Sequence, residues 1–550
     1  MTSTRHIYDS KAESSSKYEE GDATGNGVSK TSRRVRRLYQ IHVGQLFDSV
    51  GRVLVKDQVV TVDRDRGIII DVSDEQLKDW EWVVGKEEVN VSVERIDLEG
   101  LVLLPGFVDV HVHLFLHPYS ETSWDDQVTK ESLSERTVRA TVHARRTLLA
   151  GYTTVRDLGT EGALDADIGL RKCLAGQHPM IPGPRYYCAT RAIVTTGSYG
   201  PKNTLTPSQQ GVDGMRGAEP ADGVAQCIQE VRKQIGAGAD WIKIYADYRP
   251  RSLTAPVSFS TATRSIATFH EDEMKAMINT AHALGVKVAA HASTFGAIKN
   301  AVALGVNSIE HGGQICLGEE EDEEELENGT GVTELLEELV KPGGNTFFVP
   351  TVAVYYTIQQ SGTVYGNQQW EMAKRTFEAA LSVDSSQFDT SNATYLDGEK
   401  PDLNIACGGD TAVFPHGQNA LEMSLMRKLG ASWERVLGWG TYSGWKCVRG
   451  MEWEGVKGKK KLERLQAREK NRKFNLSGGD EKGGGKEDLD LDRGVPFGAI
   501  RVGWAADLIG IQGKLDGTPE DFEEAVMRGV QFVMKGGVIY KKDGKEVLQI

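Results

Sequence analysis

Leu104-Pro-Gly-Phe-Val-Asp-Val-His-Val-His113 is the stretch on which the reading of this chain turns. Val108, Val110 and Val112 alternate with Asp109, His111 and His113. That is the period of a β-strand, whose successive side chains point to opposite faces. His111 and His113 are two apart and share a face. Two imidazoles on one rigid strand form a clamp for a divalent metal, well suited to zinc. Pro105-Gly106 breaks the preceding element and starts the strand. The bland alternative, two polar residues on the outer face of an amphipathic strand, fits less well. This strand is apolar on its other face and leads into a long strand–helix series.

Working outward, strand patterns fall at 107–113, 152–157, 185–190, 240–246, 286–291, 308–311, 346–352 and 403–409. Amphipathic helical stretches lie between them, as at 132–150, 221–235, 271–284 and 420–428. Eight such units predict an α/β fold of the (β/α)8 TIM-barrel type over residues 105–450. A doubly wound open sheet is the alternative, but no Gly-rich phosphate turn follows the first strand. Short strands separated by turns fill 38–104, and strand patterns return at 506–511 and 531–540. Both chain ends are therefore expected to build one small β-sandwich domain, 36–104 plus 495–550.

Residues 1–35 are rich in Ser, Gly and charge and are expected to be disordered. Residues 451–494 read as a charged, Gly-rich, low-complexity insert. Within it, 457–485 is expected to pack against nothing, the alternative being a basic helix that binds a partner. The acidic run 319–327 reads as a solvated loop.

The chain has 550 residues, 39% hydrophobic, enough for a sizeable core, and a formal net charge of -14. The acidic balance argues against nucleic acid as the main partner, since phosphate binding needs a basic footprint. No apolar run approaches a membrane span, and Met1-Thr-Ser-Thr-Arg-His6 has no apolar signal-type region. Six scattered cysteines without a CxxC pair suit reduced thiols, so the expected location is cytoplasmic.

In a barrel of this kind chemistry belongs at the carboxyl ends of the strands. Those ends carry His111 and His113, Lys243 inside Asp240-Trp-Ile-Lys-Ile-Tyr-Ala246, His291, His311 and Asp410. Each alone could be a satisfied core residue or a cap, but all fall at the same end of different strands. Burial lowers the pKa of a lysine by disfavouring its charged form. The neutral amine of Lys243 can add carbon dioxide, and the resulting N6-carboxylysine can bridge two divalent metal ions, for which Zn2+ is the expected identity. His111, His113 and Asp410 would take one ion and His291 and His311 the other. A hydroxide between them would attack, and Asp410 would carry the proton to the leaving nitrogen. Arg191, Tyr199, Tyr245, Tyr248 and Arg249 near the strand ends are candidates for binding a substrate carboxylate or aromatic group.

Pro105-Gly-Phe-Val-Asp-Val-His-Val-His113, Gly151-Tyr-Thr-Thr-Val-Arg-Asp-Leu-Gly159, Ile242-Lys-Ile244, Ala290-His-Ala292, Ile309-Glu-His-Gly-Gly313 and Gly408-Gly-Asp-Thr411 resemble, in order, the motifs of the amidohydrolase superfamily. The chain is most similar to its imidazolonepropionase-like branch. That branch includes metal-dependent Xaa-Pro dipeptidases, carboxypeptidase-like enzymes and ochratoxin-type amidases. The position of Lys243 resembles their carboxylated bridging lysine. Many relatives carry a Gly-Gly-His-Gly turn after the third strand, where this chain has Thr195-Thr-Gly-Ser-Tyr-Gly-Pro201. Near the last barrel helix it has Trp439-Gly-Thr-Tyr-Ser-Gly-Trp445 in place of an Ala- and Thr-rich stretch. The resemblance implies a metal-dependent hydrolase of amide or peptide bonds, acting on a dipeptide or N-acyl amino acid. The same centre could open a cyclic amide, and a third reading is a catalytically silent barrel acting as a binding protein. The expected partner is a small-molecule substrate, with homo-oligomerisation compatible with the sequence.

Overall fold

A computed structural model describes residues 36–74, 91–199, 217–248, 265–318, 330–388, 395–474 and 490–547. The tail 1–35, the acidic run 319–327, Arg249 and residues 475–485 lie outside them.

The chain ends do meet in one sheet. Arg36–Asp48, Val53–Asp63 and Ile68–Ser73 form an antiparallel meander, and Val91–Asp97 and Val102–Pro105 run parallel to the first of them. Leu508–Ile511, more than 400 residues away in sequence, lies antiparallel to Val102–Pro105, pairing Ile509 with Leu104. Val530–Lys535, Val538–Lys542 and Lys545–Glu546 complete a nine-stranded sheet. Tyr39, Ile41, Val60, Val62, Leu103, Phe532 and Met534 bury one another beneath it. Each such side chain contributes about 1.5–3 kcal/mol on leaving water.

Between the two halves the fold alternates strand and helix. Phe107–Val112, Tyr152–Asp157 and Arg185–Cys188 form a parallel three-stranded sheet. Trp241–Tyr245, Lys287–Ala292, Ser308–His311 and Phe347–Val349 run parallel in a second sheet, which two short strands, Ile193–Val194 and Glu219–Pro220, extend at one edge. The Asp240 amide donates to the Cys188 carbonyl at 2.8 Å and so links the two sheets. The arrangement is TIM-barrel-like, with mixed α and β content. Every residue of Phe107–Val112 is buried, so its alternation separates two buried faces rather than core from solvent. Residues 403–409 make only single bridges, Ile405 to Phe348, with Thr411 just beyond bridging Val112. Gly408 accounts for part of this: a Cβ there would come within 2.8 Å of the His111 Cβ. Helices match their sequence signals closely, as in Leu133–Leu149, where Ser132 caps the Glu135 amide.

The insert departs from expectation. Gly455–Phe474 is a helix, and its Leu462 is buried with Trp445, Trp453, Leu491 and Trp504. Glu469 is 1% exposed and grips Arg66 through two bonds of 2.6 and 2.9 Å. Composition masked the pattern: Leu462, Leu465 and Glu469 fall at i, i+3 and i+7, one stripe of an otherwise basic helix. The expectation that this stretch packs against nothing is corrected for residues 457–470. No helix among the described residues is long and apolar enough to cross a membrane. All six cysteines are free.

Candidate metal centre

The first strand delivers His111 and His113 to the carboxyl end of the sheets. There Asp410 Oδ1 lies 3.6 Å from His111 Nε2 and 3.2 Å from His113 Nε2. His111, His311 and Asp410 offer ligand atoms that all fall within 4.8 Å of one another. The His311 ring stands 5.1 Å from that of His111 and 4.5 Å from that of His291. The four imidazoles and the carboxylate expected from the sequence thus lie along one continuous run of side chains.

The imidazoles are oriented from behind. His111 Nδ1 bonds Glu310 Oε2 at 2.9 Å, His113 Nδ1 donates to the Gly159 carbonyl at 2.7 Å, and His311 Nδ1 meets Thr351 Oγ1 at 2.9 Å. Each bond commits the Nδ1 edge, so Nε2 is the ring atom with which these imidazoles could ligate a cation. Glu310 is itself held by Arg156 at 2.8 Å and by Ser308 at 2.5 Å. Asp109 accepts from the amides of His111 and Gly409 and from Asn419 at 2.8 Å, tying the first strand to the Asp410 turn. Burial pushes Asp109 up to about 6, against these hydrogen bonds. None of these supporting residues was singled out from the sequence. Arg156 and Glu310 stood inside quoted motifs, but their role needs the third dimension.

His311, Thr351 and Asp410 adopt φ values of 78°, 47° and 57°. Three side-chain-bearing residues in the left-handed region at one site mark backbone held against its preference.

Electrostatics follow from burial. Desolvation drives His111, His291 and His311 well below the ordinary imidazole value, so they stay neutral and able to ligate. Burial would lower His113 as well, but the hydrogen bond and charge of Asp410 outweigh it and raise His113 to about 9. Burial would raise Asp410, but the two imidazoles beside it hold its carboxyl below the usual range. Lys243 is 1% exposed, and burial brings it down to about 8. Its Nζ has no hydrogen-bond partner among the described residues. An orphaned buried amine amid imidazoles and a carboxylate is a donor set that fits a divalent cation once the amine becomes an anion.

Of the expected substrate-contact residues, three tyrosines converge. The Tyr199 ring lies 4.8 Å from Tyr245 and 5.0 Å from Tyr248, and Tyr245 stacks on His291 at 4.5 Å. Glu161, buried beside them, accepts from Tyr199 Oη at 2.6 Å and Trp124 Nε1 at 3.2 Å. Arg191 is engaged elsewhere: its guanidinium pairs with Asp165 at 3.2 Å and Glu219 at 3.1 Å. Arg249 lies outside the described residues.

Residues 102–328 match the model of the amidohydrolase family. Ochratoxinase of Aspergillus niger is 26% identical over 335 residues, 58% of this chain and 60% of that protein. An uncharacterized protein of Mycobacterium tuberculosis is 26% identical over 239 residues, 42% of this chain. The chain spans half the length of that mycobacterial relative. Among solved structures, a Xaa-Pro dipeptidase with methionine bound superposes with a TM-score of 0.61 at 23% identity, covering 92% of this chain and all of that one. A. niger ochratoxinase superposes at 0.61 and 20% identity, covering 92% and 96%. At those identities the superpositions speak for the fold.

Proposed function

We propose that this chain, whose residues 102–328 match the amidohydrolase family model, is a metal-dependent hydrolase acting on carbon–nitrogen bonds, with an open amide or peptide bond of a dipeptide or N-acyl amino acid as its target. The reading takes the strand series as a closed (β/α)8 barrel and the terminal sheet as a composite β-sandwich. The observation that carries it is the gathering of imidazoles and Asp410 around a buried lysine amine that lacks a partner.

His111, His113 and Asp410 would hold one divalent ion, zinc by ligand type, and His291 and His311 a second, with Lys243 as N6-carboxylysine shared between them. When bound, such ions lower the pKa of water toward about 7 and polarise the scissile carbonyl. Burial brings the Lys243 amine down to about 8, so its neutral form is far more accessible near pH 7 than that of an ordinary lysine. That supports addition of carbon dioxide at Nζ. Asp410 stays ionised beside the imidazoles, so its Oδ1 can accept the proton of the attacking water and pass it to the leaving nitrogen. Glu310 and Gly159 hold His111 and His113 in one ring orientation. Tyr199, Tyr245 and Tyr248 form the wall against which a substrate side chain would pack and exclude water. With Arg191 engaged by two carboxylates, Arg249 is the remaining sequence candidate for a substrate carboxylate.

Protein purified in chelator-free buffer should carry about two divalent ions per chain. It should cleave dipeptides or N-acyl amino acids in preference to lactams. Full turnover by metal-free protein would overturn the mechanism, and turnover of lactams alone would move the substrate to cyclic amides.

A further inference from the structure

At the opposite end, where the strands begin, a cavity of about 200 Å³ opens among Trp241, Lys287, Trp445, Arg449, Trp453 and Phe497. Trp241 starts the strand that carries Lys243, and Lys287 starts the strand that carries His291. Trp453 lies near the start of the insert and Phe497 just beyond its end, so the chain at both ends of the insert builds part of the wall.

The charges around this cavity do not cancel evenly. Lys287 pairs with Glu454 at 2.6 Å and donates to the Cys447 carbonyl at 3.0 Å. Asp240 is held by Arg171 at 2.6 Å and also by Arg493. Glu452 faces Lys461 at 3.8 Å. Arg449 is the exception. Its guanidinium lies 4.7 Å over the Trp445 ring, its buried Nε has no hydrogen-bond partner, and no carboxylate pairs with it among the described residues. A buried donor without an acceptor is costly, and a guanidinium fork matches a carboxylate. The space is smaller than the ~300–1,000 Å³ of a site for drug-sized ligands, so it suits one small ring.

We propose that this cavity binds a small carboxylate bearing an apolar ring, with the carboxylate on Arg449 and the ring against Trp453 and Phe497. The site reports to the metal centre through packed side chains. Arg156 lies 4.4 Å over the far wall residue Trp241, donates to Glu310 at 2.8 Å, and Glu310 bonds His111 Nδ1. A ligand that shifts Trp241 therefore bears on the group that orients a metal-binding imidazole.

Phenylacetate and its neutral amide, phenylacetamide, serve as probes in calorimetric titrations of the full chain. Phenylacetate should bind and the amide at least tenfold more weakly. Arg449→Gln should abolish binding, and Arg449→Lys, which keeps the charge, should lose less; unfolding midpoints near wild type show that both variants are folded. Binding must survive chelator treatment, because a carboxylate taken up by the metal centre would not. Binding that vanishes with chelator but persists in Arg449→Gln overturns the proposal, as does no binding at 10 mM. Zinc affinity measured with and without phenylacetate should differ about fivefold or more, the lower end of usual coupling between sites. Equal affinities would overturn the link to His111.

Discussion

Lys243 and Lys535 are both buried, and burial brings both down to about 8. They differ in what surrounds the amine. Lys535 Nζ, under the composite sheet, donates to the carbonyls of Gly183 at 2.8 Å and Leu174 at 3.3 Å. Lys287, at the amino end of the strands, has Glu454 and a carbonyl. Lys243 has none among the described residues. Burial and a displaced pKa therefore do not distinguish a chemical lysine from a structural one. The difference between them is the missing partner: a buried amine without an acceptor is costly, and that contrast is what the proposed role of Lys243 rests on.

The most severe way to break this contrast is to remove each amine. Lys243→Ala should lose bound metal and turnover together while the fold persists, and short carboxylic acids that fit the vacated space should restore part of both. Lys535→Met should keep metal and turnover. Metal content measured alongside activity decides, and a Lys243→Ala protein with full metal would make Lys243 structural like its counterpart.

Asp410→Asn should retain the fold and lose about 10²–10⁴-fold in kcat, since the amide oxygen can still coordinate but cannot take a proton. A rate near wild type would remove Asp410 from the proton path. Leu462→Ala should cost about 2–5 kcal/mol in urea unfolding with metal content unchanged, because that side chain fills a core shared with Trp453 and Trp504. No loss would return the insert to the solvated loop its composition suggests. Glu310→Gln should weaken metal binding about 10–100-fold, the effect expected of a group that orients a ligand imidazole, and should also lower the urea midpoint, because buried Arg156 loses its charge partner.

The smallest effect is in pH. The folded pKa of Lys535 lies below its unfolded value, so the unfolded chain binds more protons between about 8 and 10.5. Its contribution to stability therefore rises across that window. Urea midpoints of wild type should gain on those of Lys535→Met as pH climbs from 8 to 10. A constant difference would mean that the amine titrates normally in the fold.

Much of the architecture was legible beforehand. The alternation in 107–112 and the helical stripes read true because they depend on backbone geometry within a few residues. The last expected strand, 403–409, reduces to single bridges where Gly408 passes against His111. The insert misled because its one apolar stripe is diluted by nine Lys and Arg residues between Gly455 and Phe474, while the surface that buries Leu462 comes from elsewhere in the chain.

What the sequence determined by itself is which chemical groups stand at which strand ends. Two-residue periodicity sets the face on which a side chain projects, whatever the rest of the chain does. Only the tertiary structure decided which of those groups are satisfied. It committed Arg191 to Asp165 and Glu219, gave Lys535 two carbonyls, set Glu310 behind His111 and left Lys243 and Arg449 wanting. Partnership depends on atoms brought within about 3 Å from distant parts of the chain, and no local pattern encodes that distance.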